Sequence, residues 1–109
     1  MPGPSRREKI EEMLRAEPQD TFLRYSLAME LSNEGRVPEA LEILQRLCEQ
    51  TPAYVPAYFR SAQILADESE IEAARGFLRT GIEEARRQGD LHAAGEMGEM
   101  LAELGSLGE

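Results

Sequence analysis

Apolar residues recur along most of this chain at intervals of three and four positions, the spacing that places side chains on one face of an α-helix. One such stripe comprises Leu23, Leu27, Ala28 and Leu31. Glycine at position 35 then predicts a helix end, because glycine readily adopts the left-handed conformation. The stripe that follows comprises Ala40, Leu41, Ile43, Leu44, Leu47 and Cys48. The pattern therefore predicts two consecutive helices.

The helix pair is repeated after 34 residues. At this offset seven positions are identical: Pro18/Pro52, Ala28/Ala62, Leu31/Leu65, Glu34/Glu68, Ala40/Ala74, Leu44/Leu78 and Glu49/Glu83. Small and large apolar positions coincide in helical order, so we predict one repeat over residues 18–51 and a second over 52–88. In the second repeat, Ser69 and Glu72 have the spacing of a capping box, which predicts the start of a helix there.

Both flanks of the two repeats also have helical patterns. Residues 5–17 carry a second capping-box spacing, Ser5 with Glu8, and align with the second helix of a repeat, which predicts the remaining half of a truncated pair. Residues 89–104 predict a final capping helix that is out of register with the repeats by about two residues. We expect residues 1–4 and 105–109 to be disordered, and residues 5–104 to form a single domain.

With Thr21 and Val55 as first positions, the chain resembles the tetratricopeptide repeat family. The residues that carry the resemblance are Leu27, Ala28, Leu31, Gly35, Ala40, Leu44, Leu47 and Pro52, then Ala62, Leu65, Ala74 and Leu78. The second unit departs from the family pattern at Ser61, Ser69, Gly81 and Arg86. The resemblance implies an all-α fold, in which antiparallel helix pairs form a right-handed stack of about six helices.

The resemblance also implies a concave surface formed by the first helix of each pair. The residues placed on this concave wall are Phe22, Tyr25, Met29, Asn33, Phe59, Arg60, Gln63 and Asp67. Aromatic and thioether groups are favoured anchors in protein recognition, so the expected function is that of a non-catalytic adaptor or scaffold that binds a protein or peptide. An apolar segment with a basic flank suits this wall. The alternative is that the terminal helices cover it.

Self-association is the alternative function. The final helix carries more apolar residues than one packed face requires: Leu91, Met97, Met100, Leu101 and Leu104. This surplus predicts a homodimer, a structural building block or an accessory subunit that associates through the C-terminal helix.

Composition narrows the classes of partner. The net charge of −9 disfavours nucleic acid and anionic membranes, and no apolar run approaches the roughly 20 residues of a membrane span. The single cysteine, Cys48, lies on an apolar stripe and is expected to be buried, which fits a cytoplasmic protein. His92 and Glu96 share a helical face, but two ligands do not make a metal site. We therefore expect no enzyme activity, metal or cofactor.

Overall fold

A computed structural model, which describes residues 3–107, contains six α-helices joined by short turns. The helices are α1 (Arg6–Ala16), α2 (Thr21–Asn33), α3 (Val37–Glu49), α4 (Val55–Asp67), α5 (Ile71–Arg87) and α6 (Leu91–Leu107). The described residues include no β-strand, which confirms the all-α prediction.

Each helix packs against the next one along the chain, and α4 also contacts α6. The helices α2 and α3 form the first pair, and α4 and α5 form the second. Alanine residues that are fully buried lie where the two helices of each pair meet, at Ala28 and Ala40 and again at Ala62 and Ala74. Because alanine is small, it allows the helix axes to approach closely, and larger residues such as Leu44 fill the space around the contact.

The turns that end α2, α4 and α5 share one geometry. A residue with positive φ follows each helix, namely Gly35 (80°), Ser69 (63°) and Gly89 (80°). In each turn the backbone N–H of the next residue donates a hydrogen bond to the carbonyl oxygen five residues earlier. In the first turn the Arg36 N–H donates to the Leu31 carbonyl oxygen at 2.8 Å. This hydrogen bond satisfies a carbonyl that the helix end would otherwise leave unpaired.

The two predicted capping boxes have different outcomes. At α1 the box is confirmed, since Ser5 Oγ accepts from the Glu8 N–H at 3.1 Å and Glu8 Oε1 accepts from the Ser5 N–H at 3.0 Å. At Ser69 the prediction is wrong. Ser69 belongs to the turn that ends α4, and Glu70 is the N-cap of α5, where no side-chain capping bond is present.

Replacing Ser69 with glycine is expected to stabilise the fold. The left-handed conformation destabilises a residue that has a Cβ by roughly 1–2 kcal/mol, and glycine avoids this strain. Glycine loses more conformational entropy on folding, which offsets about 0.5–1 kcal/mol of the gain. The free energy of unfolding should therefore rise by up to about 1 kcal/mol in urea denaturation. Gly35→Ser is the matched control, because Gly35 has the same backbone conformation and open space around it. It should lower stability, and a destabilised Ser69→Gly protein would contradict this account of the turn.

The final helix has the predicted shift in register. The first residues of α2 and α4 are 34 positions apart, whereas those of α4 and α6 are 36 apart. The difference arises because α5 is four residues longer than α3 and the turn after α5 is two residues shorter than the turn after α3. The predicted end of this helix, Leu104, is too early, since α6 continues to Leu107. Leu104 is buried, and its carbonyl accepts a hydrogen bond from Arg75 Nη2 at 3.0 Å, so the last turns are held against α5. Residues 1–2 and 108–109 of the predicted disordered ends lie outside the described residues.

Candidate binding surface

The predicted concave wall is divided between two separate grooves. Four of its residues, Phe22, Tyr25, Met29 and Asn33, line a groove between α1 and α2, which we call the α1–α2 groove. Three others, Phe59, Gln63 and Asp67, line a groove between α4 and α6, which we call the α4–α6 groove. Arg60 lines neither groove, and its Nε is buried without a hydrogen-bond partner.

The α1–α2 groove is open and has a volume of about 570 Å³. Its apolar lining includes Met13 and Phe22, which are 49% and 68% exposed. Arg6 and Lys9 bring positive charge to the α1 side of the groove. The carboxylate of Glu30, on α2, pairs with Arg6, with Glu30 Oε1 3.3 Å from Arg6 Nε. The groove is therefore mainly apolar, with basic groups on its α1 side and one carboxylate on its α2 side.

The aromatic ring of Tyr25 also contributes to the stack. It meets the ring of Tyr54 edge to face, with centroids 5.3 Å apart, and Tyr25 is half-buried. Edge-to-face pairs of this kind stabilise a fold by about 0.5–1.5 kcal/mol beyond the area they bury. A change at Tyr25 would therefore disturb the connection between α2 and the turn before α4 as well as the wall.

The α4–α6 groove has a volume of about 350 Å³ and a different chemistry. Phe59 and Met100 supply its apolar surface, and Gln63 lies beside them. Its acidic lining is made of four carboxylates, Asp67, Glu96, Glu99 and Glu103, and no Lys or Arg lines it. An apolar floor below carboxylates can hold a Lys or Arg side chain, whose methylene groups pack on the apolar residues while its charged end meets the acids.

Sequence reasoning missed the three glutamates of this groove. Their helical spacing on α6 is also typical of a solvated helix face, so the sequence does not single them out. Contact between α4 and α6 brings them opposite Phe59 and Asp67. The shift in register of α6 hides this proximity from an alignment at the 34-residue period.

The five residues predicted for self-association have three different environments. Met97 and Leu104 are 0% and 4% exposed and belong to the core, so they cannot form an interface with a second copy while α6 is packed. Leu101 is half-buried against the same core, and Met100 lines the α4–α6 groove. Leu91 is 71% exposed and remains available. The set is therefore wrong as a single interface, because the core takes one face of α6.

Cys48 and His92 differ in their surroundings. Burial raises the pKa of the Cys48 thiol to about 12, as expected for a cysteine that packs as a small apolar residue. His92 is largely exposed, and its Nε2 lies 3.2 Å from Glu96 Oε1. The described part of the chain contains no group of three or more His, Cys, Asp or Glu residues placed to hold a metal ion. Among the same residues, no helix is both long and apolar enough to cross a membrane.

Two solved structures share this architecture. A tetratricopeptide repeat domain protein from Salinibacter ruber is 28% identical, with a TM-score of 0.77 over 83% of this chain and 91% of that one. A protein from Bordetella parapertussis is 22% identical, with a TM-score of 0.81 over 95% of this chain and 90% of that one. No family model and no curated protein matches the chain. The structural matches confirm the predicted stack of antiparallel helix pairs.

Proposed function

Since the chain has a tetratricopeptide-repeat fold, which in general serves as a protein-interaction module, we propose that it binds a segment of another protein in the α4–α6 groove. The observation that carries this proposal is the combination of the Phe59 and Met100 apolar surface with four carboxylates. The ligand is a peptide segment in which Lys or Arg lies beside an apolar residue.

Electrostatics supports a basic ligand. The chain has a net charge of −9, and within α6 the acidic side chains are not balanced by any Lys or Arg. Charge of one sign at a groove raises the rate of association with an oppositely charged ligand, and salt screens this attraction. Binding of the segment should therefore weaken as salt is added.

The proposed role is non-catalytic. A thiol with a pKa near 12 supplies almost no thiolate at neutral pH, so Cys48 is a poor nucleophile. The exposed imidazole of His92 approaches Glu96 on its own helix, and hydrogen-bond contact with a hydroxyl or thiol that it could activate is absent from the described residues. The buried thiol is also consistent with a cytoplasmic location, which we propose with the binding role.

The test begins with a random 12-residue peptide library displayed on phage and selected against the protein. Selected peptides should be enriched in Lys or Arg next to apolar residues. Phe59→Ala should raise the Kd of such a peptide at least about tenfold, because an aromatic anchor at a groove contributes on the order of 2 kcal/mol. Phe59 is preferred to Tyr25 for this test, since Tyr25 also supports the stack through Tyr54. Circular dichroism checks that the variant remains helical.

Two charge-reversal variants distinguish the effect of charge inside the groove from the effect of the protein's net charge on peptide binding. Glu99→Lys changes the α4–α6 groove, whereas Glu83→Lys makes the same change at an exposed position of α5 outside it. Glu99→Lys should weaken peptide binding at least tenfold, and Glu83→Lys should change the Kd by less than about twofold. Equal effects of the two variants, or selected peptides without basic residues, would refute the proposed site.

A second candidate function, assembly of copies of the chain, is favoured by the exposed apolar residues of the α1–α2 groove. These exposed apolar residues lie outside the α4–α6 groove.

A further inference from the structure

One face of α1 lacks the helix that covers the corresponding face of α3. In the 34-residue frame Met13 of α1 aligns with Leu47 of α3. Leu47 is fully buried, whereas Met13 is 49% exposed. In the described residues α2 precedes and packs on α3, and α4 precedes and packs on α5. The helix α1 packs on α2, which follows it, and no described helix precedes it. The α1–α2 groove, in which Phe22 is also exposed, therefore has the position and the apolar lining of a docking site for a helix.

The helix α6 has the complementary open face. It begins as α4 does, so Leu91 and Gly98 of α6 correspond to Val55 and Ala62 of α4. Val55 and Ala62 are 4% and 0% exposed, whereas Leu91 is 71% exposed. A Cβ added at Gly98 would meet nothing within 4 Å. The helix α6 therefore presents an apolar side chain, Leu91, and a small residue, Gly98, on the face where the second helix of its pair would pack. The described residues contain no such second helix.

From these two faces we propose that α6 of one copy docks in the α1–α2 groove of a second copy. The two helices then form a complete pair, in which α6 takes the part of α4 and the α1 of the other copy takes the part of α5. Among residues 3–105, whose burial the structure describes, the exposed large apolar side chains are Met13, Phe22 and Leu91, and all three lie on these faces. The contact is head to tail, since it joins two different surfaces.

Charge complementarity selects this occupant over a contact between two α6 helices. The α1 side of the groove carries Lys9 and Arg6, whose side chain is 83% exposed. One carboxylate, Glu30, lies opposite Arg6, so two cationic side chains face one acidic side chain in the lining. The surface of α6 carries Glu96, Glu99 and Glu103, and α6 contains no Lys or Arg. Two α6 helices in contact would bring like charges together, whereas α6 beside α1 brings opposite charges together. In this arrangement only one of the two contacting surfaces is on α6, whereas the sequence predicts association through the C-terminal helix alone.

The experiment measures molar mass by light scattering and sedimentation from micromolar to millimolar protein. The natural chain should exceed its 12.2 kDa mass increasingly as its concentration rises. Met13→Glu blocks the groove and Gly98→Gln blocks the open face of α6, so each variant alone should retain the mass of one chain. An equimolar mixture should form a complex of two chains and nothing larger, because each variant still has one working surface.

Conservative variants control for loss of folding. Met13→Leu restores the residue type found at position 47, and Gly98→Ala restores the residue type found at position 62, so both should still assemble. Met13→Glu should leave peptide binding in the α4–α6 groove unchanged, which separates this inference from the proposed function. A single-chain mass for the natural protein at 1 mM would overturn the inference. Self-association of the Met13→Glu variant alone, or a mixture that remains at one chain, would also overturn it.

Discussion

Gly81→Val is expected to lower the free energy of unfolding by about 3 kcal/mol and to displace α6 from the stack. A Cβ at Gly81 would lie 2.7 Å from Met97 Sδ and 2.7 Å from Tyr58 Cβ. The flexible Met97 side chain can shift, but Tyr58 Cβ is attached directly to the backbone of α4 and cannot move without it. Overpacking of this kind costs typically 1–3 kcal/mol, and the two γ-methyl groups of valine increase the conflict.

Gly76→Val is the matched control on the same helix, because a Cβ at Gly76 would meet no atom within 4 Å. Its free energy of unfolding in urea should stay within about 0.5 kcal/mol of the natural chain. Gly81→Val should also weaken binding of the selected peptide, since Met97 holds α6 in place and α6 supplies one side of the α4–α6 groove. Equal stability of the two variants would show that the contact between α4, α5 and α6 is not tight.

Leu44→Ala is expected to destabilise the fold by about 2–5 kcal/mol. Leu44 is fully buried in the core between the helices, and truncation removes apolar contacts and leaves a cavity that the neighbouring helices fill only in part. A domain of this size has a stability of roughly 5–15 kcal/mol, so this single change removes a large share of it. The measurement is urea denaturation followed by circular dichroism.

Leu91→Ala provides the control for this prediction. It is the same substitution at a side chain that is 71% exposed, and in dilute solution it should change the free energy of unfolding by no more than about 0.5 kcal/mol. If the two leucine variants were equally stable, the core described for the helix pairs would be incorrect.

Much of the fold could be predicted because the sequence repeats its packing pattern. Ala28 and Ala62 are small where helices cross, and Leu44 and Leu78 are large where space must be filled, so periodicity and size together specify the pairs. The role of Ser69 could not be predicted from its spacing along the chain. Its spacing to Glu72 satisfies a local capping rule, but the turn geometry common to the repeats puts it in the left-handed conformation.

The candidate site was less accessible to sequence reasoning, because grooves depend on how helices are rotated and which helices meet. Met97 and Met100 are both apolar positions of α6, yet one is fully buried and the other lines a groove. Their sequence spacing does not decide between these environments. Likewise, the wall residues of α2 and α4 align at the 34-residue period but face different neighbours, α1 for Tyr25 and α6 for Phe59.

The most direct test of the central claim is an NMR titration of the ¹⁵N-labelled protein with the selected basic peptide. Backbone amide shifts should change mainly on the facing sides of α4 and α6, around Phe59, Gln63, Glu99 and Met100. The same titration of the Glu99→Lys variant should show much smaller changes at matched peptide concentration. Shift changes confined to α3 and α5, or an undiminished response of the variant, would contradict the claim that the α4–α6 groove is the binding site.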